Sequence, residues 1–199
     1  MSGTRKLKMA SLLQTISMIL LPAALLTMMG TLLTLNLEAI LAAVGLTWVI
    51  TMFIAVILAF IAVFTYLVPS AGDLAEWRPD EFSTPSKLMK IGYIGGLALV
   101  VIAVLSLIVA VPAEATLIVL GAIGLVILGG VLALIGWIGN IIYLFKLNGV
   151  FKETLFLVAA ILLIISIFIA GVLAFIAWIL IYVGAGSVEK KIVSGEIQI

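Results

Sequence analysis

Five long apolar runs organise this chain, and short polar breaks separate them. The first run extends from Met9 to about Leu35, behind a polar opening that carries Arg5, Lys6 and Lys8. The second extends from about Ala39 to Val68, the third from about Pro85 to Val111, the fourth from Thr116 to Phe145, and the last from Thr154 to about Gly186. The breaks are Asn36-Leu-Glu38, residues 69–90, Pro112-Ala-Glu-Ala-Thr116 and residues 146–153. None of the runs alternates apolar and polar positions, as a membrane strand would. Continuous runs beyond about 18 residues mark transmembrane helices, whereas buried helices of soluble proteins seldom exceed about 14 apolar residues in a row. The pattern therefore predicts an all-α fold: a polytopic transmembrane helical bundle. It is one domain over residues 1–199, with a polar loop at 69–90 and a polar tail at 188–199.

Local signals set the predicted ends. A basic opening before an apolar run has the look of a signal peptide, but the run far exceeds the usual apolar stretch of about 7–15 residues. It predicts an uncleaved first membrane helix, kinked at Pro22. Pro69 closes the second helix. Thr84 before Pro85 forms an N-cap and N1 pair that opens the third. That helix begins with Gly92-Tyr-Ile-Gly-Gly96, a GxxxG spacing that lets a neighbouring backbone approach closely. The fourth holds Gly121, Gly124, Gly129, Gly130, Gly136 and Gly139. Trp77 and Phe82 suit a loop at headgroup level.

One phrase recurs. Gly171-Val-Leu-Ala-Phe-Ile-Ala-Trp-Ile179 is nearly repeated as Gly130-Val-Leu-Ala-Leu-Ile-Gly-Trp-Ile138, and more loosely as Val56-Ile-Leu-Ala-Phe-Ile-Ala-Val-Phe64. Each copy sets small residues about one turn apart and precedes a charged stretch. It reads as a packing surface, with Trp137 and Trp178 as bulky markers. Many transporters are built from internal repeats. Here the shared residues are Leu, Ala, Ile and Gly, which also recur in any apolar chain.

The last run leaves five or six crossings open. As one helix it would be about 50 Å long, against a hydrocarbon core of about 30 Å. It either tilts and protrudes or folds back. Lys and Arg number three at the start, none at 36–38, three at 69–90, none at 112–116 and two at 146–153. This alternation places the N-terminus and the 69–90 and 146–153 loops in the cytoplasm of a cell membrane. Six crossings, as three hairpins, put Lys190 and Lys191 on the same side and give all three phrases one direction. Against six, nothing in the run looks like a turn except Ala170-Gly171, and each arm would have about 16 residues, below the usual minimum of about 17. Six is preferred.

Composition narrows the chemistry. The 199 residues are 66% hydrophobic and 10% charged, with no Cys and no His. Disulfides, thiol catalysis, His-based catalysis and most zinc, copper, haem or iron–sulfur ligation are thereby excluded. The net charge of +1 argues against a nucleic-acid partner. Asp73, Glu76, Asp80 and Glu81 cluster at 69–90 without the spacing of a calcium loop. Ion-moving proteins usually bury ionisable groups in their spans, and every charged residue here falls at an end or in a break. Asn140 is the best polar candidate inside a span.

Residues 149–165, with Phe151 and Lys152 opening the run and Ala-Ile-Leu at 160–162, and Phe-Ile-Ala-Trp-Ile-Leu at 175–180, resemble the C-terminal signature of an uncharacterised archaeal family of small multi-pass membrane proteins. The resemblance covers about a quarter of the chain. It implies an archaeal cell membrane and brings no activity or functional residues with it.

The sequence thus reads as a non-enzymatic membrane protein without a catalytic site, metal or cofactor. Its expected partners are the lipid bilayer and other membrane subunits or a second copy of itself. Gly92, Gly96, Gly129, Gly130, Gly136, Asn140, Gly171 and Trp178 are the candidate helix-packing or partner-contact residues. The alternative is a small transporter or channel with a polar path near Asn140. A lipid-modifying site in the 69–90 loop comes third.

Overall fold

A computed structural model describes residues 2–32, 37–110, 115–168 and 172–196. Every regular element among them is helical. Helix α1 spans Ser2–Leu32, with Pro22 inside it, and α2 spans Leu37–Phe60. A π-helical segment at Ile61–Leu67 leads into α3, Val68–Trp77. After Arg78 come α4, Pro79–Met89, a second π-helical segment at Lys90–Gly95, and α5, Gly96–Ala110. Then follow α6, Thr116–Phe151; α7, Thr154–Ser166; and α8, Val172–Val193.

Among the described residues, four continuous helical stretches are long and apolar enough to cross a membrane: Val49–Trp77, Pro79–Val109, Thr116–Phe151 and Val172–Val193. Large branched side chains such as Ile102, Leu105, Ile127, Leu128 and Leu134 face outward. An outward apolar surface is favourable in lipid and not in water.

The packing separates the chain into two compact units: Met1–Ser70 with Glu153–Ile199, and Ala71–Lys152. In the first, α1 packs against α2, the Ile61–Leu67 segment and α8, and α7 packs against α8. Ser17 Oγ donates to the Ala55 carbonyl at 2.8 Å and Ser70 Oγ, at the start of α3, to the Gly3 carbonyl at 2.8 Å, so α1 runs antiparallel to the helical stretch from α2 to Ser70. Lys8 meets Glu189 at 2.9 Å, so the start of α1 lies beside the end of α8. In the second unit α4, the Lys90–Gly95 segment and α5 all pack on α6.

Three predicted boundaries are corrected. Pro69 does not end a helix: helical backbone runs from α2 through it to Trp77. A proline in a helix clashes with the carbonyl four residues back, here that of Thr65. The π-helical segment Ile61–Leu67 spans that carbonyl and widens the turn around it. Thr84-Pro85 does not start a helix either. Helix α4 starts at Pro79, with Asp80 and Glu81 in its first turn, where negative charge suits the positive end of the helix. Pro85 lies inside it, and Phe82, Pro85, Ser86 and Met89 form its buried stripe. Residues 69–90 are therefore helical on both sides of Arg78, and Phe82 is fully buried rather than set at a surface. Finally, α6 continues past Phe145 to Phe151. Its 36 residues extend about 54 Å, well beyond the hydrocarbon core of about 30 Å.

The last apolar run folds back on itself. Helix α7 ends at Ser166 and α8 begins at Val172. A Cβ on Gly184 would lie 3.2 Å from the Phe156 ring and 3.3 Å from Leu155 Cβ, so the start of α7 lies beside the second half of α8. The expected turn at Ala170-Gly171 lies outside the described residues, as does the 36–38 break in part. The polar tail predicted from residue 188 is helical to Val193.

Candidate functional site

A close helix contact in the second unit is built from absent side chains. In the second unit α6 lies antiparallel to the α4–α5 stretch: Gly139 meets Leu88 and Met89, Gly136 meets Gly92 and Tyr93, and Gly129 meets Gly96. A Cβ added to Gly92 would fall on the Gly136 backbone. One on Gly96 would lie 2.8 Å from the Gly129 carbonyl, and one on Gly129 2.9 Å from the Gly96 carbonyl. One on Gly136 would lie 2.9 Å from the Tyr93 nitrogen, and one on Gly139 2.8 Å from Leu88 Cβ. Glycine is required at this seam because backbone occupies the space a side chain would need. In lipid, such close approach is a main source of helix association.

Past the seam, α4 and the end of α3 meet α6 through aromatic and charged contacts. Phe82 meets the Tyr143 ring edge-on at 5.8 Å, and Trp77 stacks on Phe151 at 5.8 Å. Arg78 lies 4.6 Å over the Trp77 ring, and Lys146 Nζ donates to Glu81 Oε2 at 2.7 Å.

The predicted packing residues divide among several places. Gly92, Gly96, Gly129 and Gly136 all lie in the seam. Gly130 does not: it is exposed, and a Cβ there would meet nothing within 4 Å. The physical reason is its rotation, since one residue along a helix turns the side-chain direction by about 100° from that of Gly129. Gly171 lies outside the described residues. Trp178 belongs to the first unit, on α8, and is 8% exposed. Asn140 follows the seam residue Gly139, is 1% exposed, and its Oδ1 accepts no hydrogen bond. Gly139 completes the seam and was not among the predicted packing residues. Its three-residue spacing from Gly136 was the available signal.

The recurring phrase proves to share one buried position. Its seventh residue is Ala62, Gly136 or Ala177 in the three copies, and all three are buried. Most other positions of the first two copies face outward or are half-exposed. The phrase therefore does not bury its whole length: the seventh residue is buried in every copy, Trp178 is buried beside it in the third, and Leu132 and Ala133 of the second meet Gly96.

The first unit gathers several of its charges at one end, by the start of α1 and the end of α8. Glu153 Oε2 accepts from Ser187 Oγ at 2.8 Å and from Lys191 Nζ at 2.9 Å. Burial alone pushes the Glu153 carboxyl up. The hydrogen bonds from Lys191 and Ser187, together with the Lys191 charge, outweigh it and hold the group below the usual 4.5. Lys8 pairs with Glu189 and lies 5.8 Å over the Tyr182 ring.

Among the described residues, no three Asp or Glu side chains gather where they could hold a metal ion. The chain has no His or Cys to supply a nucleophile or its base. What the seam can do chemically is bring two backbones together. What the charged end can do is hold polar or anionic groups where the apolar helices stop. Comparisons with protein families, with curated proteins and with solved structures find no match to this chain.

Proposed function

We propose that this chain is a non-enzymatic integral membrane protein that packs against other membrane subunits as an accessory or structural component. The observation that carries this reading is a notch on α6. Gly121 and Gly124 meet nothing within 4 Å of an added Cβ, whereas Leu117, Leu120, Ile123 and Leu128 around them face outward. Small residues amid bulky ones let a second helix approach, as they do inside the glycine seam. The chain crosses the membrane six times, as three hairpins, with its start and the Lys190-Lys191 end in the cytoplasm. Two features support this: the fold-back of α7 on α8 and the alternation of Lys and Arg between breaks. An archaeal cell membrane follows from the resemblance over residues 149–165 and 175–180.

Purification of the tagged chain from native membrane tests the proposal. Other membrane subunits are expected to come away with it in fixed ratio. Gly121→Leu with Gly124→Leu should release them while leaving the chain monodisperse. A chain that purifies alone, or partners indifferent to the double substitution, would overturn the reading.

The second reading, a small transporter or channel, has one observation in its favour. The buried Asn140 carbonyl oxygen lacks a donor, and an unpaired buried acceptor is costly. A solute or water reaching it would remove that cost. Reconstituted chain should then show flux that Asn140→Leu abolishes. Flux equal in both, or absent in both, rejects it.

A further inference from the structure

We infer that the charged end of the first unit is a binding site for the phosphate group of an anionic phospholipid. A cavity of about 530 Å³ lies between the first turns of α1, Tyr66 and the end of α8. Arg5 and Lys6 line it, together with the apolar side chains of Met9, Ile192 and Val193. A second cavity of about 800 Å³ adjoins it along α8 and is lined by Lys8, Tyr182 and Lys190. The two share Glu189 and Val193. Arg5, Lys6, Lys8 and Lys190 line the pair of cavities, and the carboxylate in their lining, Glu189, pairs with Lys8 at 2.9 Å.

Each part of this lining selects the same ligand. The Arg guanidinium presents a planar fork of donors that matches phosphate oxygens, and Lys adds a point charge beside it. Ser2 and Thr4, in the first turn of α1, line the same cavity, and the positive end of that helix adds to the attraction for an anion. A free phosphate ester would use only these groups. The apolar side chains are what a lipid uses in addition: they offer a surface for glycerol and acyl carbons next to the cations. The site also lies where apolar helices give way to Arg5, Lys6, Lys190 and Lys191, which is headgroup level for a spanning bundle. Basic pockets between membrane helices bind anionic headgroups in this way.

The test uses the full chain in a neutral detergent and native mass spectrometry, with phosphatidylglycerol, phosphatidylcholine and glycerol phosphate as probes. Phosphatidylglycerol should be retained well above phosphatidylcholine. Arg5→Gln with Lys6→Gln should weaken it roughly thirtyfold, since each surface cation contributes about fivefold near an anionic lipid. Removing equal charge from the other unit, with Lys87→Gln and Lys90→Gln, should leave it unchanged. Glycerol phosphate that displaces the lipid at millimolar concentration supports the phosphate site and shows that the headgroup alone is read. Failure to displace it supports the site with the apolar side chains contributing. Should the double variant not fold, raising the salt on the unaltered chain should weaken retention of phosphatidylglycerol but not of phosphatidylcholine. Equal retention of the two lipids, or retention that ignores both the double substitution and salt, overturns the inference.

Discussion

Two helical hairpins in this chain close by different means. In the pair formed by residues 79–110 and 116–151, glycines remove the side chains and backbone meets backbone. In the pair formed by α7 and α8, side chains do the packing. Phe156, Ala159, Ala160 and Leu163 on one helix, and Ala177, Trp178, Ile181, Ala185 and Val188 on the other, are buried. Its open end is then tied by Glu153 to Ser187 and Lys191. Lipid offers no hydrophobic drive to bring two apolar helices together, because tails are as apolar as Leu. Association must come from close van der Waals contact or from polar ties. The first hairpin relies on dense backbone contact over its middle, with the Lys146–Glu81 pair and the Phe82–Tyr143 contact past it, and the second on fitted side chains plus the Glu153 clasp at its end. A seam without side chains tolerates no added atom, whereas a seam of side chains can shift.

That contrast can be broken most severely at Gly92. Gly92→Leu puts a side chain where the Gly136 backbone lies and should cost at least about 3 kcal/mol, at the upper end of overpacking penalties. Reversible unfolding in mixed micelles should show the loss, with Gly130→Leu beside it within about 0.5 kcal/mol of the unaltered chain. Equal stability of the two variants would remove the basis for the seam.

Gly184→Leu probes the second hairpin by the same insertion. There the nearest obstructing atoms belong to the Phe156 ring, which can turn aside, while Leu155 Cβ at 3.3 Å has only a few tenths of an ångström to give. The cost should be smaller, about 1–2 kcal/mol. A cost as large as that at Gly92 would erase the distinction between the two hairpins.

Between the hairpins, Lys152 closes α6 in the left-handed region, at φ 54°. Only glycine adopts that region without strain. Lys152→Gly should therefore stabilise the chain by up to about 1 kcal/mol in the same unfolding measurement. A loss would mean that the Lys side chain contributes more than its backbone costs.

The smallest effect should come from the clasp. Glu153→Gln should cost under about 1 kcal/mol, since solvent still reaches the Lys191 end of this part-buried pair. The Glu153 pKa lies lower in the folded chain than in the unfolded one. Its contribution is therefore present above the ordinary value near 4.5 and is lost as pH falls through the lowered folded value. The chain has no native cysteine, so a single Val188→Cys substitution can report opening by maleimide pre-treatment at each pH and labelling after return to neutral. Protection should hold at neutral pH and fall in acid, as the pH drops through the lowered folded value, and Glu153→Gln should flatten that response. Protection that falls at neutral pH, or is unaffected by the substitution, would show that the clasp does not hold the end of the hairpin.

Several features of this architecture were legible residue by residue. The apolar runs located the helices, and the Gly92–Gly96 spacing pointed to a close approach. The proline signals misled because they are local. Pro69 and Pro85 disfavour helix at their own positions, and those preferences yielded to a π-helical segment in one case and to the buried stripe Phe82, Pro85, Ser86 and Met89 in the other. That stripe was visible as a helical period, but the charges interleaved with it made the segment look like a loop. Glu81 and Lys146, or Glu153 and Lys191, lie 65 and 38 residues apart, and no spacing in the chain announces such pairs.

The sequence by itself determined that the chain is helical and that much of it suits lipid. An uninterrupted apolar run can satisfy its backbone in hydrocarbon only as a helix, and that condition is met by composition and length. Only the tertiary structure decided which glycine meets which helix. Gly129 and Gly130 are equal in the sequence and opposite in use, because helix rotation and register are set by distant packing partners. The same holds for the recurring phrase: its copies resemble one another along their length, yet the seventh is the position buried in all three.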